Sequence, residues 1–211
     1  MLQVLPPGRS HKYLGRMLSL SPENRVNTEM GNRIGNAWFK FNKHRRWLTD
    51  RNVSLQLRIK LLNTIVKPSL LFGLHVLPLS KANLQKIAIT QRKMMRSVVG
   101  WVHDGGWEAT MRRMKHRLER AQEIHPCETW ERTVLRQQWK FAEHLLNSKC
   151  AWPRLALRWV PDGSRSRGRP RARWDDHLHS FCRNRFCCDY TNAVPISWHA
   201  HTNAFVEHVL S

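Results

Sequence analysis

Apolar residues recur at helical spacing through most of this chain and at strand-like spacing only near its start. Ser10 to Leu20 reads as a short extended segment, with Tyr13, Leu14 and Leu18 apolar and Gly15 permitting a bend. From Thr28 the period changes: Met30, Ile34, Ala37, Trp38 and Phe41 form one stripe of a 3.6-residue repeat. Arg33 and Lys40 fall on its polar side, and the helix runs into Lys43-His44-Arg45-Arg46. Ser54 suits an N-cap for a helix carrying Leu55, Ile59, Leu62 and Val66, which Lys67-Pro68 is expected to stop. The apolar run Ser69 to Leu77 reads as a buried connector.

Three more helices follow. Ser80 or Asn83 caps one with Leu84, Ile87, Met94, Met95 and Val98 inside, Lys86, Arg92, Lys93 and Arg96 outside, and Gly100 beyond its end. A second, Trp107 to Ile124, places Trp107, Met111, Met114, Leu118 and Ala121 on one face and Arg112, Arg113, Lys115, Arg117 and Arg120 elsewhere. Pro126 breaks it, and a third runs from Glu128 to Asn147 with Val134, Phe141, Ala142, Leu145 and Leu146 inward and Trp130 and Trp139 on its flanks. The expected fold is mainly α: a helical bundle after a short N-terminal extended segment. Residues 161–173, rich in Arg, Gly, Pro and Ser, cannot bury a core and read as an exposed linker. The expected divisions are therefore 1–27, 28–160, 161–173 and a small, irregular, Cys/His-containing segment at 174–211.

Charge turns this architecture toward a partner. The 211 residues carry 36 Lys and Arg against 15 Asp and Glu, a net +21. Residues 1–100 hold eighteen of those cations and only three acids, Glu23, Glu29 and Asp50. So much unpaired positive charge points to a polyanion, because neutralising phosphates releases their condensed counterions. Nucleic acid is the expected partner, RNA, DNA or a hybrid, in an intracellular and specifically nuclear setting. No apolar run approaches the ~20 residues that span a bilayer, no lipid anchor is evident, and neither a membrane nor a small-molecule substrate is expected. The phosphate-contact candidates are Arg33, Lys40, Lys43, Arg45, Arg46, Arg92, Lys93 and Arg96.

Other chemistry is thinly represented. A two-metal polymerase or nuclease site needs converging carboxylates, and the adjacent pair Asp175-Asp176 reads instead as the start of a helix, where acids meet exposed N–H groups. No catalytic residue and no cofactor is expected. Cys182, Cys187, His199 and His201 are weak zinc candidates, since their spacing departs from the two close pairs of a structural site. Arg167-Gly168-Arg169-Pro170 resembles the core of an AT-hook, which lies in the narrow minor groove of A·T-rich DNA. Arg167, Arg169, Arg171 and Arg173 thus form a second candidate surface, and an architectural DNA-binding protein is the alternative reading. Ten Trp accompany only two Tyr. Trp38, Trp107, Trp130 and Trp139 lie in or beside apolar stripes and are expected to pack, leaving Trp47, Trp101 and Trp174, each near basic residues, as candidates for stacking on bases.

A family resemblance joins these pieces. Lys12-Tyr13-Leu14-Gly15, Ile34 to Phe41, Ser54 to Leu62, Val66 to Gly73 and Gln91 to Gly100, in that order and spacing, resemble the end of the palm and the thumb of non-LTR (LINE-type) retrotransposon reverse transcriptases. The stretch Arg167 to Asp176 resembles a segment near the C-terminus of such elements, and the likeness covers roughly residues 10 to 178. The resemblance implies a thumb that grips a template-primer duplex through its backbone. It assigns no catalytic aspartate, because the paired aspartates of the palm match nothing here; the expectation is a nucleic-acid-binding remnant that does not polymerise by itself. The remaining alternative is a non-functional translated relic.

Overall fold

A computed structural model describes residues 10–19, 24–158, 173–187 and 198–211. It is mainly helical, as the apolar periodicity predicts, with one two-stranded antiparallel hairpin among the described residues. The described chain divides into two compact units, one containing residues up to Leu74 and Ala82–Glu131, the other His75–Lys81 and Arg132–Ser211.

The first unit opens with β1 (Ser10–Tyr13) and β2 (Arg16–Ser19), paired in the register Ser10 to Ser19 and Tyr13 to Arg16. Leu14 and Gly15 between them have φ of 45° and 78°. Two successive positive φ values give a two-residue loop the twist that matches its strands. The hairpin lies on α1 (Arg25–Lys43), which also packs against the chain around Val66 to Leu71. Helix α1 begins three residues ahead of the expected Thr28. Its stripe behaves as read: Met30, Ala37 and Phe41 are buried, and the Trp38 ring meets Phe41 edge to face. A short α2 (Arg45–Thr49) buries Leu48.

Ser54 caps α3 (Leu55–Leu61), its hydroxyl accepting from the Leu57 N–H at 3.4 Å. Contrary to the sequence expectation, the helix does not stop at Lys67-Pro68. A π-helical turn (Leu62–Val66) links it to α4 (Lys67–Leu71). In the π turn the Lys67 N–H reaches the Leu62 carbonyl, five residues back, which widens the helix just before Pro68. Proline lacks an N–H and its ring would collide with a carbonyl one turn earlier; the π turn gives it room. Helix α5 (Lys81–Val99) starts directly after Ser80 and ends at Gly100, whose φ of 90° needs glycine. In α6 (Trp107–Ile124) Met114 and Ala121 are buried as expected, but Trp107 stands 72% exposed at the first turn. Trp130 opens α7 (Trp130–Leu146) fully buried, with its backbone N–H on Gln91 Oε1 at 2.8 Å and its indole N–H on Asn63 Oδ1 at 3.2 Å.

The second unit is built on aromatic packing. Trp139 of α7 stacks on Phe205 at 4.8 Å and meets Phe181 edge to face at 5.3 Å. These rings bring α7 together with α9 (Asp176–Phe186) and α10 (Trp198–Leu210), with Leu178, Val206 and Val209 buried beside them. Burial of each such large side chain stabilises the fold by about 1.5–3 kcal/mol. Helix α8 (Ala151–Arg158) precedes α9 and shows Trp152 and Leu155 to solvent.

Candidate nucleic-acid interface

Glu29, one of only three acids in the first hundred residues, is almost wholly buried. Its two oxygens hold separate elements. Oε1 accepts from Arg33 Nε at 2.7 Å, one turn along α1, and Oε2 accepts from the Met17 N–H of β2 at 2.5 Å. Arg33 then donates from Nη2 to the Gly15 carbonyl at the hairpin loop, 2.6 Å away. A carboxylate taken out of water needs such partners to offset desolvation, and here they join β2, the hairpin loop and α1. Arg33 is itself buried, and its guanidinium carbon lies 4.7 Å from the centre of the Phe72 ring. The sequence reading of Arg33 as a phosphate contact is therefore corrected: its charge is consumed by Glu29 and its donors face inward.

The clamp closes the back of a groove of about 530 Å³ lined by Lys12 and Gly15 of the hairpin, Asn36, Phe39 and Lys40 of α1, Pro68 and Ser69 of α4 and Phe72 just after it, with the buried Arg33 also in its lining. Phe39 is 68% exposed and Phe72 57%. Lys40, expected on phosphates, is half-buried at this groove, and Lys12 is exposed. Neither lysine has an ion-pair partner among the described residues. Sequence reasoning missed Phe39, Phe72 and Lys12 as site residues. Phe39 carried a signal, since it falls opposite the Met30–Ala37–Phe41 stripe and so puts an aromatic on the polar face of α1.

The other predicted cations divide. Lys43, Arg45 and Arg46 are all exposed where α1 passes into α2, and Arg46 lies 5.9 Å from the centre of the Trp47 ring, itself 57% exposed. Cations and an accessible indole thus share one short stretch. On α5, Arg92 and Lys93 are exposed, whereas Arg96 is half-buried with its Nε out of solvent. Arg92 also borders a hollow of about 480 Å³ shared with Glu119 and Glu131, which leaves Lys93 in the more positive setting. Trp101 is 48% exposed just past Gly100.

Two further arginines serve the fold. Arg58 of α3 donates to the Val98 carbonyl at 2.5 Å and to the Val53 carbonyl at 3.0 Å, and Arg117 of α6 donates to the Val99 carbonyl at 2.9 Å. Both guanidiniums meet the last carbonyls of α5, the negative end of that helix. Burial lowers the Arg58 pKa from its ordinary value, Asp50 opposes that shift, and the like charges of Arg117 and Arg51 add to it.

In the second unit, Trp174 is corrected as a stacking candidate. Its indole N–H donates to the His75 carbonyl at 2.6 Å, its ring meets Phe141 edge to face, and its carbonyl accepts from Gln138. Asp175 and Asp176 begin α9 as expected, with Asp176 accepting the Arg173 N–H at 2.7 Å and Asp175 paired with His179 at 3.2 Å. The three described zinc candidates form no cluster: Cys182 is buried in α9, Cys187 is exposed beyond it, and the His201 ring packs on Phe186. Among the described residues no group of three or more His, Cys, Asp or Glu could hold a metal. The His199 side chain and Arg167, Arg169 and Arg171 lie outside the described residues; Arg173 is exposed.

No protein-family model matches the chain, and no solved structure matches it. It is similar to a protein of Caenorhabditis elegans described as transposon-derived, with 28% identity over 168 residues, 79% of this chain. The chain spans 57% of that relative's length. This likeness points to a transposon origin.

Proposed function

We propose that this chain is the nucleic-acid-binding, thumb-like part of a retrotransposon reverse transcriptase, holding a duplex through its backbone without reading sequence. One observation carries the reading. Lys43, Arg45 and Arg46 stand exposed together beside Trp47, in a half of the sequence with fifteen more cations than acids. Their charge is not spent on the fold, in contrast to Arg33, Arg58 and Arg117. Lys93 on α5 is likewise exposed. The similarity to a transposon-derived protein supports the same origin. No chemical step is assigned to this chain, and no residue is proposed as catalytic.

The test is the salt dependence of duplex binding. For backbone contacts, log K falls linearly with log salt concentration, by about 0.9 per phosphate neutralised on B-DNA. Replacing Lys43, Arg45 and Arg46 together by Ala should weaken binding equally on unrelated sequences and flatten that slope by about 2–3. A flat response of the unaltered protein to salt would overturn the proposal.

A further inference from the structure

The groove between the hairpin, α1 and the end of α4 differs in chemistry from the open cationic surface at α1–α2. Lys12 and Lys40 give it charge, and among the described residues no carboxylate pairs with either, the acid behind it being already held by Arg33 and Met17. Phe39 and Phe72 give it rings, and both rings are more than half exposed although apolar side chains this large are normally withdrawn from water. Phe72 is also held in place. The Arg33 guanidinium covers one of its faces, and Arg33 is fixed in turn by Glu29 and the Gly15 carbonyl. The Phe72 side chain is still 57% exposed.

We propose that this groove binds an unpaired nucleotide, its base packed against the exposed rings of both Phe72 and Phe39 and its phosphates beside Lys12 and Lys40. The volume, about 530 Å³, lies in the range of sites that take small organic ligands. Lysines fit a phosphodiester, and a preordered phenyl ring fits the face of any base without selecting among them. Within a duplex the bases are paired and stacked on both faces, with none free for a ring, so the ligand is a single strand or the unpaired end of a duplex. Asn36 and Ser69 add uncharged polar groups to the lining. This inference rests on the nucleic-acid reading above but concerns different residues and a different strand state.

The experiment compares two probes on the full chain: a blunt duplex, and the same duplex carrying a 3′ extension of a few thymidines. The unaltered protein should bind the extended probe more tightly. Replacing the extension's nucleosides by abasic linkers should remove the gain while leaving its phosphates. Phe39→Ala and Phe72→Ala should each erase most of the gain, on the order of 10-fold, with blunt-duplex affinity changed less than 2-fold; Phe72→Trp should keep it. Both positions are exposed enough that their loss leaves the core intact, and an unchanged melting curve verifies this. Equal affinity for the extended and blunt probes, a gain that survives abasic linkers, or phenylalanine variants that bind both probes as before would each overturn the inference while leaving the backbone reading standing. Failure to bind either probe would overturn that reading as well.

Discussion

At the scale of single residues, the same side-chain type does opposite jobs here, and burial decides which. Arg33 and Arg46 are both arginines of a basic stretch, yet Arg33 is locked to Glu29 at 2.7 Å and Arg46 is open to solvent. Breaking the buried pair leaves Arg33 without its carboxylate, or leaves Glu29 with only the longer contact to Arg16 at 3.9 Å. Glu29→Ala or Arg33→Ala should therefore destabilise the first unit by about 3–5 kcal/mol, read as a lower urea midpoint, while Arg46→Ala should shift it by less than about 0.5 kcal/mol. A Glu29→Gln, Arg33→Met double variant should lose less than either single Ala variant, since it strands no charge; equal or greater loss would mean that the pair acts through packing alone. The residue pattern hinted at this fate for Arg33, which stands one turn after the lone acid of its helix. Trp107 and Trp174 were not legible in the same way. Helical periodicity placed Trp107 on a stripe, but it occupies the first turn, where no neighbouring element covers it; Trp174 looked accessible beside the arginines until the His75 carbonyl claimed its N–H at 2.6 Å.

At the scale of elements, helix ends and interruptions organise the first unit. Periodicity located the helices because each buries one stripe, and capping chemistry located Ser54 and Gly100. Neither could foresee that a π turn carries the helical path from α3 into α4 and past Pro68, since such a turn is a tertiary accommodation with no residue signature of its own. The α5 terminus shows how one end gathers three elements: Gly100 turns the chain at φ 90°, and Arg58 and Arg117 satisfy the Val98 and Val99 carbonyls from α3 and α6. Gly100→Ala would force an L side chain into that conformation. It should cost about 1 kcal/mol or more, seen as a lower denaturant midpoint with an unchanged slope. The candidate site was legible to the extent that it is electrostatic: Lys43, Arg45, Arg46 and Lys93 stand where the polar faces put them. The groove was not, because it requires the hairpin and α4 to converge on α1 from distant positions in sequence, and only the folded chain brings Lys12, Phe39 and Phe72 to one place.

At the scale of the whole molecule, the surplus of 21 positive charges is a cost as well as a tool. Few cations are neutralised inside the fold, and the exposed pairs that exist, such as Arg113 with Asp104 and Arg132 with Glu207, are of a kind that contributes about 0–1 kcal/mol. Mutual repulsion among the remaining Lys and Arg opposes the compact state. Salt screens that repulsion over about 10 Å at 0.1 M and about 3 Å at 1 M. The free protein should therefore become more stable as sodium chloride rises from about 0.02 to about 0.5 M, by a few degrees in Tm if the repulsion amounts to about 1–2 kcal/mol. A duplex oligonucleotide should stabilise it in the opposite salt regime, strongly at low salt through mass action and weakly at high salt as backbone binding fails. The two curves of Tm against salt should converge. If the free protein instead melts at lower temperature as salt rises, its ion pairs outweigh its repulsion, and the surplus charge is not the strained, partner-seeking surface that the distribution of acids implies.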